Sequence, residues 1–184
     1  MRGNVARYNT FDTIRPTERL AQKSCSQNAF YLDDQMSGWE FYGNTIRNAS
    51  VGVLLGGGRR NSIHDNHFVD NDFDIHFDNR GETWQLDYCR LNCSGGRTPK
   101  GETNPSCFKN ALDALDYTQP PYATHYPELV GIFETEPCVP VFNRVVNNTW
   151  CHTNSPASAG FINQNASVIQ GWNSTLEGNT EKCL

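Results

Sequence analysis

The chain lacks the features that define several large classes of protein. No apolar run approaches the roughly 20 residues that a membrane-spanning helix needs, so a membrane is not an expected partner. Charge is sparse, at 19% of 184 residues, and hydrophobic residues reach 37%, which excludes a highly charged disordered chain. Basic residues are outnumbered, 15 Lys and Arg against 20 Asp and Glu, leaving a net charge of −5. That balance argues against nucleic acid and suits a neutral substrate or bound cations. Leucine is too thin for leucine-rich repeats, and no 3.6-residue periodicity marks helical repeats. The opening "MRGNVARYNTF" has no apolar signal segment and begins inside a pattern described below, so the chain is expected to be a piece of a longer protein.

Cysteine, by contrast, is plentiful. Cys25, Cys89, Cys93, Cys107, Cys138, Cys151 and Cys183 occur with glycosylation tripeptides at Asn48, Asn92, Asn147, Asn165 and Asn173. Together they point to a secreted, extracellular glycoprotein. Cys89-x3-Cys93 with Cys107 and Cys138 resembles a zinc pattern only superficially, because no histidine follows at finger spacing. Disulfides are expected, with Cys25 left over.

The remaining sequence is repetitive. "AFYLDD" from Ala29, "VGVLLG" from Val51 and "FDIHFD" from Phe73 start 22 residues apart, as do "WEFYGNTI" from Trp39 and "NSIHDNHF" from Asn61. Looser copies are "NVARYNTF" from Asn4 and "NRVVNNTW" from Asn143. A period this long, built from short strands between Asn and Gly, fits one coil of a parallel β-helix. The expected architecture is all-β, a single right-handed β-helix domain over residues 1–184. An excursion over 81–142 breaks the period, is braced by disulfides and contains a short helix near "ALDALDY".

Strand alternation then assigns faces. Ala29, Tyr31 and Asp33, Val51, Val53 and Leu55, and Phe73, Ile75 and Phe77 are expected inward. Phe41, Ile63, Val145 and Ala6 form a second inward column. Asn9, Asn44, Asn66 and Asn148 form an amide ladder at a bend, where asparagine tolerates left-handed backbone. The outward set is Phe30, Leu32 and Asp34, then Gly52, Leu54 and Gly56, then Asp74, His76 and Asp78, with Arg80 just beyond.

Asp34, Gly56 and Asp78 thereby share one column. With neighbouring strands about 4.8 Å apart, the two carboxylates are about 9–10 Å apart at the backbone. Inverting glycosidases separate their pair by about 6.5–9.5 Å to admit a water, and Gly56 leaves room between them. The competing reading is a solvated acidic column. Asp33 is either a turn brace or a catalytic acid, since a buried carboxylate needs hydrogen bonds and its pKa rises. "GGGRR" (Gly56–Arg60) lacks a phosphate-loop ending, and its glycines are expected at a tight corner, with Arg59 and Arg60 available to an anionic substrate. His64 and His67 fall on opposite strand faces and share no metal. Asp34, Asp74 and Asp78 are oxygen ligands suited to Ca²⁺.

"YLDDQMSGWEFYGNTI", "GVLLGGGRRNSIHDNHFVDN", "IHFDNRG" and "QPPYATHYPELVGIFETEPCVP" resemble the right-handed parallel β-helix repeat family, within the pectate lyase-like superfamily. The resemblance implies a carbohydrate-active enzyme and places acid-rich motifs on Asp33, Asp34, His76, Asp78 and Arg80. The leading expectation is therefore a secreted glycoside hydrolase or polysaccharide lyase with a polysaccharide or glycan as partner. As a hydrolase, Asp34 and Asp78 are the acid/base pair, His76 orients substrate, Asp74, Arg59 and Arg80 bind it, and Tyr122 and Tyr126 stack on sugar rings. As a lyase, the Asp residues hold Ca²⁺ and Arg80 is the base. The alternative is a non-catalytic extracellular module binding glycan or matrix.

Overall fold

The computed structural model describes residues 2–16, 27–91, 93, 107–154 and 160–183. The chain divides into two compact units, one built from residues 1–78 and 140–184, the other from Asn79–Val139.

The first unit is a parallel β-helix. Its strands are short because Asn, Gly and Asp interrupt each apolar run. The first coil carries β1 (Asn4–Arg7), β2 (Thr10–Asp12) and β3 (Asn28–Leu32), and the second β4 (Trp39–Tyr42), β5 (Thr45–Arg47) and β6 (Val51–Gly56). The third carries β7 (Ser62–His64), β8 (His67–Val69) and β9 (Phe73–Asp78). After the excursion come β10 (Arg144–Val146), β11 (Thr149–Cys151) and β12 (Gly160–Ile162), then β13 (Thr175–Glu177) and β14 (Thr180–Glu181). Strands stack coil on coil into three parallel sheets, in the orders β1-β4-β7-β10-β13, β2-β5-β8-β11-β14 and β3-β6-β9-β12.

The inward column of the first sheet is the one the periodicity implies, and the second sheet adds another. Ala6, Phe41, Ile63, Val145 and Leu176 align in the first sheet, and Phe11, Ile46, Phe68 and Trp150 in the second. Phe41, Ile63, Val145, Ile46 and Phe68 are fully buried, and each such side chain contributes about 1.5–3 kcal/mol from apolar burial.

The asparagine ladder is present and longer than the sequence suggested. Asn9, Asn44, Asn66 and Asn148 each donate through backbone N–H and Nδ2 to the Oδ1 of the next member, at 2.9–3.0 Å, and Asn179 completes the series. Its members are not the left-handed residues. The residue before each one is: Tyr8, Gly43, Asp65, Asn147 and Gly178, with φ between 53° and 62°. A second amide column, unforeseen, runs from Trp39 N–H to Asn61 Oδ1, Asn61 N–H to Asn143 Oδ1 and Asn143 N–H to Ser174 Oγ.

The excursion unit carries helices α1 (Leu86–Cys89), α2 (Phe108–Asp113) and α3 (Tyr122–His125) and 3₁₀ turns at Pro127–Leu129 and Ile132–Glu134. Helix α2 overlaps the start of "ALDALDY". Cys89–Cys138 and Cys93–Cys107 are disulfide-bonded here, and Tyr88, Phe108 and Phe133 pack together. In the β-helix unit Cys151–Cys183 closes the last coils around helix α4 (Ala166–Gly171). Cys25 and Asn92 lie outside the described residues. No described helix is long and apolar enough to cross a membrane.

Candidate functional site

The third sheet holds most of the residues that the sequence singles out, with one change of register. Between β6 and β9 the offset is 22, as expected: Val53 pairs with Ile75, Leu54 with His76, Leu55 with Phe77 and Gly56 with Asp78. Between β3 and β6 it is 23: Phe30 pairs with Val53, Tyr31 with Leu54 and Leu32 with Leu55. The extra residue lies in the turn after β3, where Asp34 and Gln35 both take positive φ. Phe30 and Leu32 therefore face inward, and Leu32 is buried. Tyr31 and Asp33 face outward and are exposed.

This alters the expected column. The β3–β6 pairing ends at Leu32 and Leu55; carried on by one residue it points to Asp33 beside Gly56, in line with Asp78, where the period alone put Asp34. Asp34 turns away into the corner, its N–H donating to Asp33 Oδ1 at 2.9 Å, and Gln35 N–H donates to Gly56 O at 2.8 Å. Asp33 is thus both a brace for its own turn and part of the outer face. Half-buried His76 aligns with Leu54 and Tyr31 in the adjoining column.

Three other expected surface residues are buried. Asp74 is fully enclosed: its Oδ1 accepts from Asn71 Nδ2 and its Oδ2 lies against His152 Nε2, both at 2.9 Å. It cannot join Asp34 and Asp78 around Ca²⁺ or touch a ligand on the outer face. Arg80 is also fully buried, 5.0 Å over the Trp84 ring, because the chain has already turned into the excursion. Arg59 is buried at the Gly56–Arg60 corner, its N–H donating to Ser37 Oγ. Burial and the nearby charges of Arg2 and Arg60 push its guanidinium down to about 10. The corner is tight: a side chain on Gly58 would collide with the Met36 carbonyl. Tyr122 and Tyr126, half-buried, sit in the excursion unit at the start and just past the end of α3. Of the glycosylation tripeptides, Asn48, Asn147, Asn165 and Asn173 are exposed.

Sequence reasoning missed the Asp74–His152 pair. Burial raises the Asp74 pKa, opposed by bonds from His152 and Asn71. The bond to Asp74 raises His152. The available signal was the looser copy "NRVVNNTWCHTN", which aligns His152 with Asp70 at the bend that also holds Asn71.

Stacked coils, three parallel sheets and amide ladders at the bends define a parallel β-helix protein. Residues 3–101, more than half of the chain, match the family described as NosD, periplasmic copper-binding protein, and the chain belongs to that family. NosD proteins are right-handed β-helices of the periplasm, and the disulfides here suit an oxidising compartment outside the cytoplasm. No curated protein and no solved structure matches the chain.

The family's description names copper, and the side chains bear on it directly. Among the described residues, no three His, Cys, Asp or Glu side chains converge as metal ligands. Six of the seven cysteines are in disulfides. His64 is bonded to Asp65 and Glu40, His67 to Thr149, and His152 to Asp74. The described residues do not fit a copper centre.

Proposed function

We propose that this NosD-family protein acts on glycans, holding a sugar chain along the outer face of its third sheet and hydrolysing it with Asp33 and Asp78. The reading is supported by the pairing of Gly56 with Asp78, extended to Asp33 by one residue from the Leu32–Leu55 pair. Two strand spacings separate the carboxylates by about 9–10 Å at the backbone, and the residue between them has no side chain. One carboxyl group protonates the leaving oxygen while the other activates water on the opposite side of the ring, which requires a gap of this order. Exposed Tyr31 offers a ring for stacking, and His76, two strands away in the same column with Leu54 between them, can orient a hydroxyl.

The hydrolase reading is favoured over the lyase reading. The lyase version needs Arg80 as base and Asp74 as a Ca²⁺ ligand, and both side chains are fully buried. The test is a screen for reducing ends and unsaturated products across neutral and uronic polysaccharides, with and without Ca²⁺, on wild type and Asp78→Ala. The expected result is reducing ends without unsaturation, independent of Ca²⁺ and abolished in Asp78→Ala, with ligand affinity retained. Glycan binding with no cleavage of any polymer would replace this reading with a non-catalytic module.

A further inference from the structure

The outer face of the first sheet presents a different arrangement. By register its outward column is Arg7, Tyr42, His64, Val146 and Glu177, of which Val146 is buried, flanked by Val5, Glu40, Ser62, Arg144 and Thr175. Arg7 Nη1 donates to the Tyr42 hydroxyl at 2.8 Å. The Tyr42 ring stacks flush on the His64 imidazole, with centroids 4.8 Å apart and planes 7° apart. The imidazole is gripped by Asp65 Oδ2 at 2.6 Å and Glu40 Oε1 at 3.1 Å. Each long side chain is already held by a neighbour, so a ligand would meet groups whose ordering cost is largely met.

Tyr8 is the informative residue. It occupies the left-handed bend position that the other four coils fill with Gly43, Asp65, Asn147 and Gly178. Glycine, asparagine and aspartate adopt that geometry readily, whereas a bulky aromatic there is an outlier. Strain of this kind persists where surroundings hold it, and it concentrates at binding sites. The Tyr8 ring is nonetheless 73% exposed. It lies edge-on to Tyr42 at 5.4 Å and over Gly43, where a Cβ would come within 2.6 Å of its Cε1. The next coil has therefore been cleared to seat a ring that gains little burial.

We propose that Tyr8, with Arg7, Glu40 and Asp65, forms a binding platform for a neutral oligosaccharide lying across the first three coils. A pyranose has an apolar C–H face that suits an exposed tyrosine ring and equatorial hydroxyls that suit alternating donors and acceptors. Arg7 donates, and the half-exposed Glu40 and Asp65 carboxylates accept. Charges of both signs are interspersed here, with Arg144 and Glu177 completing the mixture, so no single field favours a polyanion or a polycation. This platform is on a different sheet from the Asp33–Asp78 column and stands independently of it.

The test is an NMR titration of the isotope-labelled protein with neutral hexasaccharides of glucose, mannose, xylose and galactose. At least one should shift the signals of Tyr8, Glu40 and Asp65. Tyr8→Gly should weaken that ligand by about tenfold or more while its melting temperature holds or rises, because glycine relieves the backbone strain. Tyr8→Phe should retain most of the affinity, and Asp33→Asn/Asp78→Asn should bind at the platform as wild type does. The proposal is overturned if no hexasaccharide binds, if Tyr8→Gly binds undiminished, or if the shifts fall only on the third sheet.

Discussion

His152 Nε2 lies 2.9 Å from Oδ2 of Asp74, joining a residue just after β11 to a carboxylate enclosed on β9. The histidine ring keeps 14% of its side-chain surface exposed, so it can exchange protons with solvent. The pair ties two coils together at a bend that also holds Asn71, which donates to Ile46 O and to Asp74.

The pH dependence of this tie follows from the raised His152 pKa. A histidine whose folded pKa exceeds its unfolded 6.5 stabilises the fold fully below 6.5 and loses that contribution as pH rises through the folded value. Asp74 must be ionised for the pair to form, and burial raises its pKa too. The window is therefore mildly acidic. The melting-temperature difference between wild type and His152→Ala should be largest near pH 6 and should shrink towards pH 9. A pH-independent difference would show that the ring acts by packing alone.

The asparagine ladder makes a graded prediction. Asn66 is buried, donates to Phe41 O and Asn148 Oδ1, and accepts from both nitrogens of Asn44. Asn66→Ala leaves several of these groups unsatisfied and should cost about 2–4 kcal/mol in urea denaturation. Asn9, exposed and at the end of the ladder, should cost under about 1 kcal/mol when changed to Ala. Equal losses would mean that the ladder does not act through buried amides.

The Cys151–Cys183 bond closes a loop of sequence separation 32 that contains α4 and the final strands. By loop entropy, the Cys151→Ala/Cys183→Ala variant should lose about 3–4 kcal/mol of stability. Denaturation midpoints of the two proteins measure this directly.

Much of the fold was legible because the repeat is strict where coils are uninterrupted. The β6–β9 pairing and the inward column through Phe41 follow from a 22-residue period and strand alternation alone. The β3 register was not legible. "AFYLDD" looks like "VGVLLG" from its first residue, but the turn through Asp34 and Gln35 holds one residue more, and a one-residue slip exchanges the faces. The same slip, carried past the end of β3, is what favours Asp33 over Asp34 in the candidate site. The buried states of Asp74 and Arg80 were hidden for another reason. Asp74 is bonded to His152, which lies after a 61-residue excursion unit, and Arg80 lies within that unit, beyond the reach of the repeat.

The most direct test of the proposed activity compares Asp33→Asn with Asp34→Asn on whichever polysaccharide the wild type cleaves, scored by release of reducing ends. The β3–β6 register predicts that Asp33→Asn, like Asp78→Asn, loses at least about a hundredfold in turnover, the scale of one general acid or base, while Asp34→Asn remains near wild type. Turnover that survives Asp33→Asn and disappears with Asp34→Asn, or wild-type protein that cleaves no glycan, would contradict the account.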